Sequence, residues 1–121
     1  KYPELGWSKI ETKDNFPLFK GLGKSFYSYS SHFDETCHLP RQFVCYAQSE
    51  LCQIQAYQID KTATFGIQFH PEKPLEDAKK SFIDEKKAGR SKTYLRAAQA
   101  DKLYNARVGE SIFENFLNYY E

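Results

Sequence analysis

The 121-residue chain has no methionine, one tryptophan and three cysteines. The missing methionine includes position 1. The chain opens at Lys1, already within an ordered-looking run from Leu5 to Ile10, and we read its N-terminus as cut. Cys37, Cys45 and Cys52 are odd in number and irregular in spacing, which argues against a disulfide framework. They form no close Cys-x-x-Cys pair of the kind zinc sites use, so no metal is expected. Reduced, mostly buried thiols are the expectation. Charge of one sign is also lacking: 17 Lys and Arg stand against 16 Asp and Glu, leaving +1. That balance offers no electrostatic surface for nucleic acid or membrane, and neither partner is expected. No run approaches the ~18 apolar residues of a spanning helix, and the first residues do not form a signal peptide. A cytoplasmic location follows by default. Internal repeats and low-complexity linkers are missing as well.

What is present is enough for a packed core: 40% hydrophobic and 17% aromatic residues. A chain of this length is one domain or part of one. Its first two-thirds read as β-structure and its last third as helix. Gly6 to Thr12 and Ser25 to Ser30 alternate as strands, with Phe26 opposite Tyr27 and Tyr29. Between them, Asn15 to Gly23 reads as a loop pinned by Leu18, Phe19 and Leu22. A hairpin with its turn at Gln48 to Leu51 pairs Ala47 with Cys52, Cys45 with Ile54 and Phe43 with Ala56. This register buries both cysteines and leaves Val44, Tyr46, Gln53, Gln55 and Tyr57 on a wetter face. Asp60 to Thr62 then turns the chain into a further strand. After Pro74, Leu75, Ala78 and Phe82 repeat at helical spacing and end near Gly89. A second helix is expected over Thr93 to Ala106. A third carries Ile112, Phe113, Phe116, Leu117 and Tyr120 as one apolar stripe, with Ser111 and Glu114 at capping-box spacing. Five short strands without interleaved helices must be largely antiparallel, or must pair with strands outside these residues.

Chemistry concentrates in Phe65 to Glu72, Phe-Gly-Ile-Gln-Phe-His-Pro-Glu. In an extended run Phe65, Ile67 and Phe69 face one way, and Gly66, Gln68, His70 and Glu72 face the other. Pro71 fixes its own φ and biases His70 out of the helical region, so the strand leaves its sheet here. An imidazole and a carboxylate then share one side of a strand end. They make a base beside a group able to orient it, lacking a nucleophile. Elsewhere, blander readings prevail. Cys37 beside His38 is not taken as an activated thiol, because strand neighbours point to opposite sides. Lys79, Lys80, Lys86, Lys87 and Arg90 form a solvated helix face balanced by Glu76, Asp77, Asp84 and Glu85. Tyr119 and Tyr120 pack a helix end.

The ordered set Gly6-Trp7, Pro17-Leu18-Phe19-x-Gly21-Leu22, Tyr29-Ser30-Ser31-His32-Phe33-Asp34, Leu39-Pro40, Ala47-Gln48-Ser49 and Gly66-Ile67-Gln68-Phe69-His70-Pro71-Glu72 resembles a known family. The resemblance is to the C-terminal half of a class I (triad-type) glutamine amidotransferase domain, of the GMP synthase-like group. The final helix with Phe113, Asn115 and Phe116 resembles the family's closing helix, and Lys73 to Glu110 is the least typical part.

The resemblance implies an α/β fold, part of a flavodoxin-like three-layer sandwich with a mixed sheet. In it, residues 1–121 would be the C-terminal portion of one domain. It implies hydrolysis of the glutamine side-chain amide to glutamate and ammonia by a Cys-His-Glu triad, without a cofactor. His70 would be the acid/base, Glu72 its orienter, and the Ser31, His32, Phe33 and Asp34 turn the loop whose backbone holds glutamine, with the turn's main chain mattering more than the His32 ring. The family's cysteine sits on a strand-to-helix elbow of Gly-x-Cys-x-Gly-x-Gln type. No cysteine here has that setting, so the elbow would precede Lys1 and the chain alone should lack glutaminase activity. Partners would be the missing N-terminal half or a synthase. Two alternatives stay open: a γ-glutamyl cysteine hydrolase of the same fold, or a non-catalytic fragment that dimerises or swaps elements through unpaired edges.

Overall fold

Strand β1 (Glu4–Thr12) organises the molecule. The computed structural model describes residues 4–13, 15–89 and 94–119. Along β1, Leu5 and Trp7 face one side of the sheet, whereas Ile10 faces the other, as period-two geometry demands. The next strand, β2 (Ser25–His32), pairs antiparallel with β1 throughout, setting Glu4 opposite His32, Trp7 opposite Tyr29 and Ile10 opposite Phe26. Strands β3 (Phe43–Gln48), β4 (Ala56–Ile59) and β5 (Phe65–Ile67) continue antiparallel, in the order β2-β1-β3-β4-β5. A short β6 (Tyr94–Leu95) lies parallel to β1, which makes the sheet mixed.

Each face of the sheet has its own core. On one side Ile10, Phe26, Ala47, Ala56 and Phe69 meet Phe16, Leu18 and Phe19 together with Val108 and Ile112 of a C-terminal helix. Pro17–Phe19 form a single 3-10 turn, so the expected loop is pinned by apolar side chains as its composition indicates. On the other side Leu5, Trp7 and Tyr29 meet Ala78 and Ala100. The helix that carries Ala78, α1 (Leu75–Ala88), has Glu76 and Asp77 in its first turn and Lys86 and Lys87 in its last, matching the helix dipole. It ends at Gly89, whose φ of 68° a residue with a Cβ adopts only at a cost. Helices on both faces of a mixed sheet make this a layered α/β arrangement, as the resemblance implies.

Four expectations need correcting. The hairpin register is different: Ala47 faces Ala56, Cys45 faces Tyr57 and Phe43 faces Ile59, with an irregularity between Cys45 and Ala47. The connection thus runs from Ser49 to Gln55, longer than a tight turn, because Ser49 and Gln55 are drawn into bonds with Glu4 of β1. Its faces differ too: Tyr46 stacks on Phe16 in the core and Gln55 is fully buried, whereas Cys45 is only half-buried.

The second helix is broken. Arg96 takes a left-handed φ of 49°, β6 precedes it, and only α2 (Ala100–Leu103) is α-helical there; Thr93 lies outside the described residues. Pairing with β1 outweighs helix propensity in this segment.

The third helix, α3 (Ala106–Leu117), begins six residues earlier than the capping-box reading, with Asn105 accepting a hydrogen bond from Arg107 N. Its buried residues are Val108, Ser111 and Ile112, whereas Phe113, Phe116 and Leu117 are exposed. Ser111 therefore packs inside the helix instead of capping it. Tyr120, the last member of the stripe, lies outside the described residues.

Candidate active site

The site is built where β5 stops. Phe65 and Ile67 pack against the first core and Phe69 is part of it, so the opposite side of the run is free for polar groups. Beyond Ile67 the backbone leaves β4 for new partners: Gln68 N donates to Gln55 O and His70 N donates to Tyr29 O of β2, each at 2.8 Å. The main chain at His70 is thus held on the central part of the sheet, while Pro71 ends the extended run. Helix α3 approaches closely from below. A Cβ at Gly109 would lie 2.4 Å from the main-chain oxygen of Pro71, so only glycine lets the helix reach this turn.

On that turn, His70 Nδ1 lies 2.9 Å from Glu72 Oε2, with the side chains 37% and 50% exposed. A carboxylate cannot donate, so the bond fixes Nδ1 as the protonated nitrogen and leaves Nε2 as the basic one. The pair can take up and return a proton at a defined atom. Gln68, on the same side, reaches the turn after β2: its Oε1 accepts from Thr36 N at 3.4 Å. Through Gln68 and the Tyr29 bond, the His70 turn and the Ser31–Thr36 turn are one connected unit.

Of the sequence-predicted substrate residues, Ser31 and His32 end β2, and Phe33 and Asp34 lie on the connection that follows. Phe33 is 42% exposed, but the His32 side chain is only 8% exposed. His32 is paired with a residue that sequence reasoning missed. Its Nε2 lies 2.8 Å from Oε1 of Glu4, a carboxylate with 0% exposure, and its Nδ1 lies 2.8 Å from Asp34 O. Glu4 also accepts from Gln55 Nε2 at 2.8 Å, Ser49 Oγ at 2.7 Å and Ser8 Oγ at 3.2 Å. Burial alone would raise the Glu4 pKa, but the bonds from His32, Ser49 and Gln55 and the charge on His32 leave it lowered. Burial likewise opposes charge on His32. The Glu4 bond and charge, the Asp34 carbonyl and the charge of Glu35 outweigh it and raise that pKa. A glutamate at a strand start is an ordinary signal by itself; only the β1–β2 register, 28 residues across, reveals its partner.

Glu4, His32 and Cys52 place an oxygen, a nitrogen and a sulfur within 4.8 Å of one another, a donor set that zinc would accept. Glu4 and His32 are already bonded to each other, and Glu4 to three further donors, so we assign no ion there.

The cysteines are elsewhere in character from an attacking thiol. Cys37 lies in the connection after β2, Cys45 within β3 and Cys52 in the β3–β4 connection, and none sits on a strand-to-helix elbow. Burial pushes the Cys52 thiol up to about 12, which keeps it protonated. A concavity of about 620 Å³ lined by Thr12, Phe16, Lys20 and Lys24 does not include His70 or Glu72. No helix among the described residues is long and apolar enough to cross a membrane.

Comparison with known proteins agrees with this architecture. The chain is 38% identical over 69 residues to the glutamine-hydrolysing GMP synthase subunit of Methanococcus aeolicus, covering 57% of this chain and 37% of that protein. The protein of the same description from Pyrococcus abyssi is 39% identical over 69 residues, with the same coverage of 57% and 37%. The chain therefore spans little more than a third of the length of these curated relatives. Among solved structures, a glutamine amidotransferase from Thermotoga maritima aligns with a TM-score of 0.70 and 23% identity, covering 98% of this chain and 50% of that one. A second, from Methylobacillus flagellatus, gives 0.71 and 16%, covering 97% and 53%. At such identities these two speak for the fold alone. The sequence profile described as "Glutamine amidotransferase class-I" matches residues 1–88, and the chain belongs to that family.

Proposed function

We propose that this chain supplies the histidine and glutamate of a Cys-His-Glu triad that hydrolyses the side-chain amide of glutamine to glutamate and ammonia. The observation that carries the reading is the 2.9 Å bond from His70 Nδ1 to Glu72 Oε2, on a turn held by Tyr29 O and seated against Gly109. With Nδ1 occupied, the Nε2 lone pair accepts the proton of an attacking thiol and returns it to the departing ammonia. Glu72 keeps the ring in that tautomer and stabilises the imidazolium that forms between the two steps. The main chain of the Ser31–Asp34 turn receives the substrate. The thiol comes from outside these 121 residues, since no cysteine here occupies a suitable elbow. Relatives described as glutamine-hydrolysing GMP synthase subunits support a synthase as the consumer of the ammonia.

The experiment is ammonia release from glutamine by the full-length protein that carries these residues, with His70→Ala beside it. A loss of ~10³-fold in kcat is expected for an essential acid/base. Turnover within a few-fold of the unaltered protein would sink the assignment, and cleavage of γ-glutamyl conjugates without glutamine turnover would move the reaction to the related hydrolases.

A further inference from the structure

His32 is bonded at both ring nitrogens, and neither partner has a proton to give. The Asp34 carbonyl can only accept, so Nδ1 donates to it. Glu4 takes bonds from Gln55, Ser49 and Ser8 independently of His32, and these three donors hold its carboxyl group ionised. Nε2 therefore donates as well. An imidazole that donates from both nitrogens carries a positive charge.

We propose that His32 is a positioning residue: held as an imidazolium by the buried Glu4 carboxylate, it ties the Ser31–Thr36 turn to β1 and fixes the main chain that receives glutamine. The inference rests on the glutaminase reading given above, and it assigns the ring a structural charge instead of a contact with substrate. Besides Glu4, two titratable groups act on the ring, and one hydroxyl acts on Glu4. The Cys52 thiol approaches from the β3–β4 connection within 4.8 Å, and burial keeps it neutral. The Glu35 carboxylate, on the turn itself, adds negative charge that favours the cation. Ser49, also in the β3–β4 connection, binds the far oxygen of Glu4. No cation opposes the charged ring in this set. The Glu4 cluster thus gathers β1, β2, the β3–β4 connection and the substrate turn around one ion pair.

Deprotonation removes one of the two donors and leaves an acceptor unpaired beside the turn. Binding should then weaken as pH rises through the raised His32 pKa, while the proton transfers at His70 continue. Charge-assisted hydrogen bonds of this kind correspond to on the order of 10- to 100-fold in an equilibrium constant.

Two measurements test this in the full-length protein. In isotope-labelled histidine spectra, with His32→Gln used for assignment, both His32 ring nitrogens should be protonated at pH 7, and Glu4→Gln should lower its titration. This arm does not depend on catalysis. A neutral His32 at pH 7 overturns the proposal whatever the protein's activity. In the kinetic arm, His32→Gln should raise KM for glutamine by on the order of 10-fold or more and leave kcat within a few-fold, with the pH dependence of KM flattened. A loss in kcat at unchanged KM would place the ring in the chemistry and overturn the positioning role. Should His70→Ala retain glutaminase activity, the catalytic reading fails by itself, and the spectral result still stands or falls alone.

Discussion

Two histidine–carboxylate pairs of almost equal length stand in this fold. His70 and Glu72 are 2.9 Å apart and substantially exposed, whereas His32 and Glu4 are 2.8 Å apart with the carboxylate fully buried. The difference lies in what surrounds them. Glu72 has its histidine and open solvent; Glu4 has four donors, and His32 has a second acceptor in the Asp34 carbonyl. An exposed pair can exchange protons with a substrate and contributes little to stability. A buried, fully bonded pair is held in one charge state, and removing one member strands the other. Under the proposed function, the same two functional groups serve chemistry in one place and architecture in the other.

That contrast can be broken most forcefully at His70, where alanine should cost ~10³-fold in glutamine hydrolysis by the full-length protein while its melting temperature stays nearly unchanged. Gly109→Ala comes next. The added Cβ meets Pro71 O at 2.4 Å, so the turn carrying His70 must move; misplacement of this kind costs up to about 10²-fold in kcat. Helical content by circular dichroism should not fall, because alanine is the better helix former. If activity is retained, the seating of the turn on α3 is unimportant for the chemistry.

For the buried pair the large effect is on stability. Glu4→Ala should cost about 3 kcal/mol in a urea titration, since it leaves a charged His32 buried without its partner. Glu72→Ala, by contrast, should cost less than about 1 kcal/mol. Equal losses in the two variants would erase the distinction between the pairs.

The smallest and most specific effect is on pH dependence. Glu4 has a lowered pKa, so its contribution is present above its ordinary 4.5 and is lost as pH falls through the folded value. His32 has a raised pKa, so its contribution is complete below its ordinary 6.5 and is lost as pH rises through the folded value. Stability from this pair should therefore be greatest between about pH 4.5 and 6.5 and decline on either side. Glu4→Gln should flatten both flanks, and an unaltered profile in that variant would remove the pair from the account.

Legibility in the sequence followed the range of the forces involved. The apolar side of Phe65, Ile67 and Phe69, the bounds of α1 and the bond between His70 and Glu72 all depend on neighbours a few residues apart, and each was readable. The β3–β4 register was not, because alternation fits more than one pairing and the choice was made by Ser49 and Gln55 bonding to Glu4. The segment from Tyr94 to Leu103 has helix-forming composition, yet two of its residues pair with β1 at Leu5 and Gly6. In α3 only Ile112 of the expected stripe is buried among the described residues. Val108, outside that stripe, is buried, and half-buried Asn115 donates to Leu18 O and Lys20 O, while Phe113 and Leu117 remain outside.

The sequence alone determined the extended runs of β1, β2 and β5, the helix α1, and that a histidine and a carboxylate stand on one turn, since φ restriction by proline and two-residue alternation are local properties of the chain. Tertiary structure alone decided that Glu4 meets His32, that glycine at 109 admits the Pro71 turn, and that β6 forms. Those outcomes depend on groups far apart in the chain becoming neighbours under burial, where an unpaired charge or a misplaced Cβ costs more than any local preference supplies.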